Sequence, residues 1–223
     1  MNNVLLILVA IIIICYVIGS IPTAFLVGHL RKGVDIREVG SRNMGAMNVF
    51  YSIGIAEGLL VLAVDIGKGA LAVYIASLLT RSFTYPLADS IDVSLLVQLI
   101  AGLVVVLGHT FPLFLRFRGG KGGATTIGVL AFLLWPWSPI YLGVFLLLLL
   151  ITRVPTVSYG ISFICFPFLA WFTRDHSIPL LVYSIVILLI PALTYIPRIK
   201  EMYQAGGGSW RRVILRKSMK DRL

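Results

Sequence analysis

Apolar residues in this chain come in unbroken runs. They show neither the alternation of a half-buried strand nor the one-sided stripe of a soluble amphipathic helix. LLILVAIIIICYVI near the start and YLGVFLLLLLI past the middle have no polar face. In lipid every backbone N–H and C=O must be satisfied internally, which leaves helices or closed barrels, and runs without alternation predict helices. Spans are expected at Val4–Ile21, Ile53–Leu79, Val93–Leu115, Ala124–Trp135, Ser138–Ile151, Val157–Trp171 and Ile178–Ile196. Crossing the hydrocarbon takes about 20 residues. The first three and the last are long enough; the fourth and fifth are short and separated only by WPWSP. That Pro-rich break reads as a tight turn between two half-length helices rather than a kink in one. No internal repeat is evident. The expected fold is an all-α, polytopic integral membrane bundle of about seven transmembrane helices.

Composition agrees: 59% of residues are apolar and 13% charged, against roughly half and a quarter in soluble domains. The length suits a single domain over 1–223 with a basic tail from 198 to 223. No basic residue precedes the first run, which is longer than the apolar core of a signal peptide, so it reads as a retained span. Cys15 and Cys165 fall within apolar runs and read as small core residues rather than a disulfide or a nucleophile.

Charge fixes the expected orientation. With seven spans, Arg31, Lys32, Arg37, Arg42, Arg116, Arg118, Lys121, Arg153 and the basic residues of the tail share one side. Arg81 and Arg174 are the basic residues opposite, and Lys68 lies within a span. The positive-inside rule then puts the N-terminus outside and the C-terminus in the cytoplasm. The tail, with Trp210 in GGGSWRRVILRKSMKDRL, reads as an interfacial segment for anionic membrane lipid and not as a nucleic-acid module.

Polar chemistry gathers in two loops on the basic side. DIREVGSRNMGAMNV, Asp35 to Val49, carries Ser41, Arg42, Asn43 and Asn48. LGHTFPLFLRFRGGKGGATT, Leu107 to Thr126, carries His109, Arg118 and Lys121 among Gly119, Gly120, Gly122 and Gly123. Glycines let backbone N–H groups approach an anion, a helix starting after Gly123 adds its positive end, and Arg and Lys supply charge to phosphate oxygens. Phosphate is the natural ligand, although GGKGGATT lacks P-loop spacing. His109 is a general-base candidate whose other reading is a brace for the loop. His29 reads as a boundary residue, and His176 has no assigned role. Asp65 and Lys68, three apart within the second span, read as a structural ion pair, with substrate contact as the alternative. No metal-ligand spacing and no cofactor motif is found. An H-x4-D arrangement is likewise absent.

These residues carry a family resemblance. GSRNMGAMNV at Gly40–Val49, VDIGKG at Val64–Gly69 and LGHTFPLFLRFRGGKGGAT at Leu107–Thr125 resemble the bacterial acyl-phosphate:glycerol-3-phosphate acyltransferases, the PlsY family. The resemblance extends to the hydropathy profile. It implies transfer of a fatty acyl group from acyl phosphate to the 1-hydroxyl of glycerol 3-phosphate, giving lysophosphatidate and phosphate for phospholipid synthesis at the inner membrane. The candidate site is catalytic His109 and Lys121, with Ser41, Asn43, Asn48, Arg118, Gly119, Gly120, Gly122, Arg153 and Thr156 around the substrate phosphates, and Arg42 expected to take over phosphate binding from the family Arg that Tyr51 replaces. The chain departs from the family pattern at Arg42 (usually Gly), Met47 (Thr), Tyr51 (Arg) and Thr156 (Ser). Thr194, Tyr195 and Arg198 stand in the segment where the family has Arg-His and then Asn. Readings from other classes are a small-anion transporter and a non-catalytic lipid-binding paralogue. Acyl-chain preference and oligomeric state have no signature in the chain.

Overall fold

The computed structural model describes residues 2–81, 86–88, 91–152, 155–209 and 212. The chain folds into helices α1 (Asn2–Ser20), α2 (Thr23–Lys32), α3 (Ala46–Ser52), α4 (Ile55–Thr80), α5 (Val93–Thr110), α6 (Gly123–Leu133), α7 (Pro139–Thr152), α8 (Pro155–Ser162), α9 (Cys165–Thr173) and α10 (Ile178–Ala205). A short antiparallel pair, β1 (Pro86–Ala88) with β2 (Ile91–Asp92), lies between α4 and α5. Among the described residues, four helical stretches are long and apolar enough to cross a membrane: Leu5–Lys32, Ile55–Thr80, Val93–Leu115 and Ile178–Ala205.

The surface is that of a membrane protein. Leu5, Ile13, Leu60, Leu147, Leu150, Phe172 and Leu193 are exposed, while Asp65, Lys68, His109, Thr125, Thr126, Ser158 and Ser184 are buried. Lipid solvates the apolar exterior, so polar groups turn inward. The core packs α1 against α5 and α4 against both α5 and α6, around Ile11, Val73, Val105, Val129 and Leu130. Two of these contacts are made by backbone. A β-carbon on Gly19 of α1 would collide with the Val105 carbonyl of α5, and one on Gly108 with the Tyr16 carbonyl. Between α4 and α6, Gly69 meets the Thr125 carbonyl and Gly128 the Ile66 carbonyl in the same way. Small residues of this kind let membrane helices approach to backbone contact.

Several spans differ from expectation. The first apolar run does not end the helical path: after Pro22 it continues as α2, closed by Gly33 in the left-handed conformation. WPWSP is a turn between α6 and α7, as expected. The expected span Val157–Trp171 is two helices, α8 and α9, broken after Ser162. Pro167 sits in the first turn of α9, where its missing N–H costs nothing. The last span runs past Ile196 to Ala205, with Pro191 and Pro197 inside it. Arg198 to Ala205 is therefore helix rather than tail, and Trp210 lies outside the described residues.

Candidate active site

The loop between α2 and α3 is organised by one side chain. Asn48, buried on α3, directs its Nδ2 amide toward the carbonyls of Ile36 (2.8 Å), Val39 (3.0 Å) and Asn43 (3.0 Å). Its Oδ1 accepts from the Ser41 N–H at 3.0 Å and the Ser52 hydroxyl at 3.2 Å. These bonds fold residues 36–43 back over α3. At the loop's entry Arg37 donates to both oxygens of Asp35, at 3.0 and 2.6 Å. That bond leads the causes that hold the Asp35 carboxyl below its ordinary range. Arg42 sits at φ 57°, a left-handed conformation uncommon outside glycine.

The glycine loop leaves α5 and is tied back to it. The N–H groups of Gly119 and Gly120 donate to the carbonyls of Thr110 and His109, both at 3.1 Å. Gly122 caps α6 at φ 79°. The first N–H groups of α6, on Gly123, Ala124 and Thr125, have no intrahelical acceptor and form the positive helix end. From α10, the Thr194 hydroxyl lies 3.0 Å from the Lys121 carbonyl, its proton shared between that acceptor and the carbonyls of Ile190 and Pro191 on its own helix. The Lys121 ammonium lies 4.0 Å over the Tyr195 ring, a cation–π contact that holds the amine while the cleft stays open.

Together these segments enclose a cleft of about 400 Å³, a size suited to a small ligand. Ser41, Arg42 and Asn43 form one wall, and Arg118 to Lys121 the floor. Thr194, Arg198 and Glu201 of α10 close it. Its cations are Arg42, Arg118, Lys121 and Arg198, and its one carboxylate, Glu201, is paired with Arg198 at 2.8 Å. Burial, then the neighbouring Arg198 charge, brings the Lys121 amine down to about 8. An anion in the cleft would oppose that shift. Such a basin attracts anions and stabilises charge that develops on them.

Of the residues expected from sequence, Ser41, Arg42, Asn43, Arg118, Gly119, Gly120 and Lys121 line this cleft. Asn48 does not; it supports the wall from behind. Gly119 and Gly120 line the cleft, but their N–H groups serve the α5 carbonyls rather than facing a ligand. Gly122 acts as the helix cap below it. His109 is buried beneath Gly120, with its Nδ1 3.7 Å from Asp65 Oδ1. Asp65 and Lys68 form the expected ion pair at 2.8 Å, with side chains only 3% and 4% exposed. Lys68 Nζ also donates to the Ile21 carbonyl at 3.3 Å, tying α4 to the bend between α1 and α2. Arg153 lies outside the described residues, and Thr156 falls in the first turn of α8 with its side chain likewise outside. The α10 contribution of Thr194, Tyr195, Arg198 and Glu201 was not among the expected site residues. The basic TYIPRIKEM segment after the last apolar run was its signal.

The class defined here is a helical membrane protein with a cation-lined cleft at the ends of its spans. The glycerol-3-phosphate acyltransferase family profile matches residues 9–205. A Dehalococcoides mccartyi protein named glycerol-3-phosphate acyltransferase 2 is 46% identical over 100% of both chains. The Bacillus subtilis glycerol-3-phosphate acyltransferase is 37% identical over 80% of this chain and 86% of its own. The crystal structure of PlsY, an integral membrane glycerol 3-phosphate acyltransferase, in its glycerol 3-phosphate form has 28% identity. It superposes with a TM-score of 0.75 over 94% of this chain and 99% of that one. Its lysophosphatidic acid form gives 0.73. The chain belongs to the glycerol-3-phosphate acyltransferase family.

Proposed function

We propose that this chain transfers a fatty acyl group from acyl phosphate to the 1-hydroxyl of glycerol 3-phosphate, releasing lysophosphatidate and phosphate. The reaction takes place at the cytoplasmic face of the cell membrane, with the N-terminus outside. The observation that carries the reading is the four-cation cleft where the apolar spans end. Both substrates bear phosphate, and one bears a chain that must stay in lipid.

Phosphate is a good leaving group, so no enzyme nucleophile is needed. The acceptor hydroxyl oxygen bonds to the acyl carbon as the carbon–oxygen bond to phosphate breaks. The hydroxyl proton passes to a phosphate oxygen, consistent with a His109 ring that does not line the cleft. Lys121, Arg118 and the α6 N-terminus stabilise charge on the departing phosphate. Arg42 and Arg198 hold the acceptor phosphate from opposite walls, and Ser41 and Asn43 orient its polyol. Arg42 thereby keeps a cation in the first loop despite Tyr51.

The test is an assay of the purified full chain in detergent with synthetic acyl phosphate and a panel of phosphorylated polyols. Lysophosphatidate should form with glycerol 3-phosphate and depend on acyl phosphate rather than an acyl thioester. Acyl-phosphate consumption no greater than in a protein-free control would sink the proposal.

A further inference from the structure

A second, larger hollow of about 700 Å³ adjoins the active cleft and shares Arg42, Arg118 and Gly119 with it. Its remaining wall includes Arg37, Glu38, Phe114 and Arg116. We propose that this hollow is a headgroup site for an anionic phospholipid of the surrounding bilayer.

Charge is the first ground. Arg37 is engaged by Asp35 at 2.6 Å. Arg42, Arg116 and Arg118 are exposed and pair with no carboxylate among the described residues. Glu38 is the lining acid outside the Asp35–Arg37 pair, so the hollow keeps a positive excess. Guanidinium forks match phosphate oxygens in pairs; Arg116 lines this hollow and not the cleft, and Arg42 and Arg118 at the shared rim add to its positive field.

Depth is the second ground, and it separates a lipid from a dissolved anion. The loop bearing Arg116 and Arg118 continues directly from the apolar stretch that ends at Leu115. It is pinned to the end of α1, where the Leu113 N–H donates to the Ser20 hydroxyl at 3.3 Å and Tyr16 donates to the Phe111 carbonyl at 2.6 Å. Its apolar side chains are exposed: Leu113 and Phe114 are 52% and 59% exposed, Phe114 on the rim of the hollow. Aromatics and arginines alternating at the end of a span mark the membrane–water interface. The hollow therefore opens at headgroup height, with Phe114 beside the acyl chains and the arginines beside the phosphate. Arg42 and Arg118 stand on the rim shared with the cleft, so this site adjoins the one proposed for acyl transfer, and lipid retention is measured without turnover.

The test uses the full chain in neutral detergent, doped with either phosphatidylglycerol or phosphatidylcholine, and reads retained lipid by native mass spectrometry. Arg116→Gln is the probe because Arg116 lines this hollow alone. The wild type should retain phosphatidylglycerol in preference to phosphatidylcholine. Arg116→Gln should lower retained phosphatidylglycerol about fivefold, the effect of one interfacial cation, and Arg116→Lys should restore most of it. Equal retention of the two lipids by the wild type, or equal phosphatidylglycerol retention by wild type and Arg116→Gln, overturns the proposal. Inorganic phosphate binding that weakened about fivefold in Arg116→Gln would reassign the hollow to a soluble anion and overturn it equally. Loss of acyltransferase activity in every sample would count against the proposed reaction and leave the lipid readout intact.

Discussion

Replacing Asn48 with alanine should disable the site without touching its lining. The Asn48 amide serves the carbonyls of Ile36, Val39 and Asn43, and its oxygen takes the Ser41 N–H and the Ser52 hydroxyl. An amide has two protons, so the three carbonyls share two full bonds, which with the two accepted bonds makes about four in all. At about 1 kcal/mol net for each, less what water regains in the open loop, the closed loop loses about 3 kcal/mol, or roughly a hundredfold in its closing equilibrium. Where binding requires the closed loop, apparent affinity falls by the fraction closed. Asn48→Ala should therefore raise the KM for glycerol 3-phosphate far more than it lowers kcat, and should lower the thermal unfolding midpoint in detergent. Asn48→Asp keeps the acceptor and loses both donors, placing a carboxylate against three carbonyls, so it should fare no better. The measurements are acceptor kinetics and unfolding curves for the three proteins. Wild-type KM together with a wild-type unfolding midpoint in Asn48→Ala would refute the reasoning.

Three further outcomes are expected. Lys121→Ala should lower kcat/KM roughly a hundredfold, about 3 kcal/mol of lost charge stabilisation; near-normal turnover would remove Lys121 from the site. Because the free protein holds this amine near 8, it is cationic below that pH and neutral above, so kcat/KM should fall as pH rises through about 8, and a flat profile to pH 9 counts against it. Lys68→Met alone should destabilise the protein by about 3–5 kcal/mol by stranding buried Asp65, while Asp65→Leu with Lys68→Met should recover most of the loss in thermal midpoint; equal damage from single and double replacement would contradict the ion pair as a structural unit. Cysteines introduced at exposed Glu38 and Gln204 should resist an impermeant reagent in intact cells, and one at Asp175 should react; the opposite pattern inverts the proposed orientation.

The long spans were legible because crossing lipid demands uninterrupted apolar length, and no other pressure on this chain imitates it. Helix ends were less so. The last span was expected to end at Ile196, yet α10 continues through Pro197, with the Thr194 hydroxyl beside the Lys121 carbonyl and the Arg198–Glu201 pair one turn on. That continuation brings Arg198 and Glu201 to the cleft, and no apolar run could announce it. The break between α8 and α9 had a signal in Pro167, which reads equally as a kink until the helices are seen. Charge and glycine content located both site loops, because anion binding needs those residue types. The role of Asn48 was hidden for a different reason. An asparagine that binds ligand and one that gathers carbonyls look alike in sequence, and only the inward turn of Ile36, Val39 and Asn43 separates them. His109 was left between two readings, and it lies beneath Gly120 rather than in the lining of the cleft.

The glycine seams divide the chain into positions that tolerate drift and positions that do not. Along the lipid-facing surfaces of α1, α4 and α10 one large apolar side chain replaces another at little cost, since the bilayer fills whatever shape results. At Gly108 or Gly69 even a methyl group meets a neighbouring main chain, which has no rotamer with which to yield. Alanine there would force the helices apart or slide one along the other. Gly108 directly precedes His109, and Gly69 directly follows Lys68, so the slide would be delivered to the groups beneath the glycine loop. The seams thus work like locating pins in an instrument: they set the vertical alignment of the polar interior and leave the outer surface free to adapt to a different bilayer. Random mutagenesis scored for activity should show this as a sparse map, with intolerance gathered at the pins, the buried polar groups and the cleft and a permissive apolar shell between them.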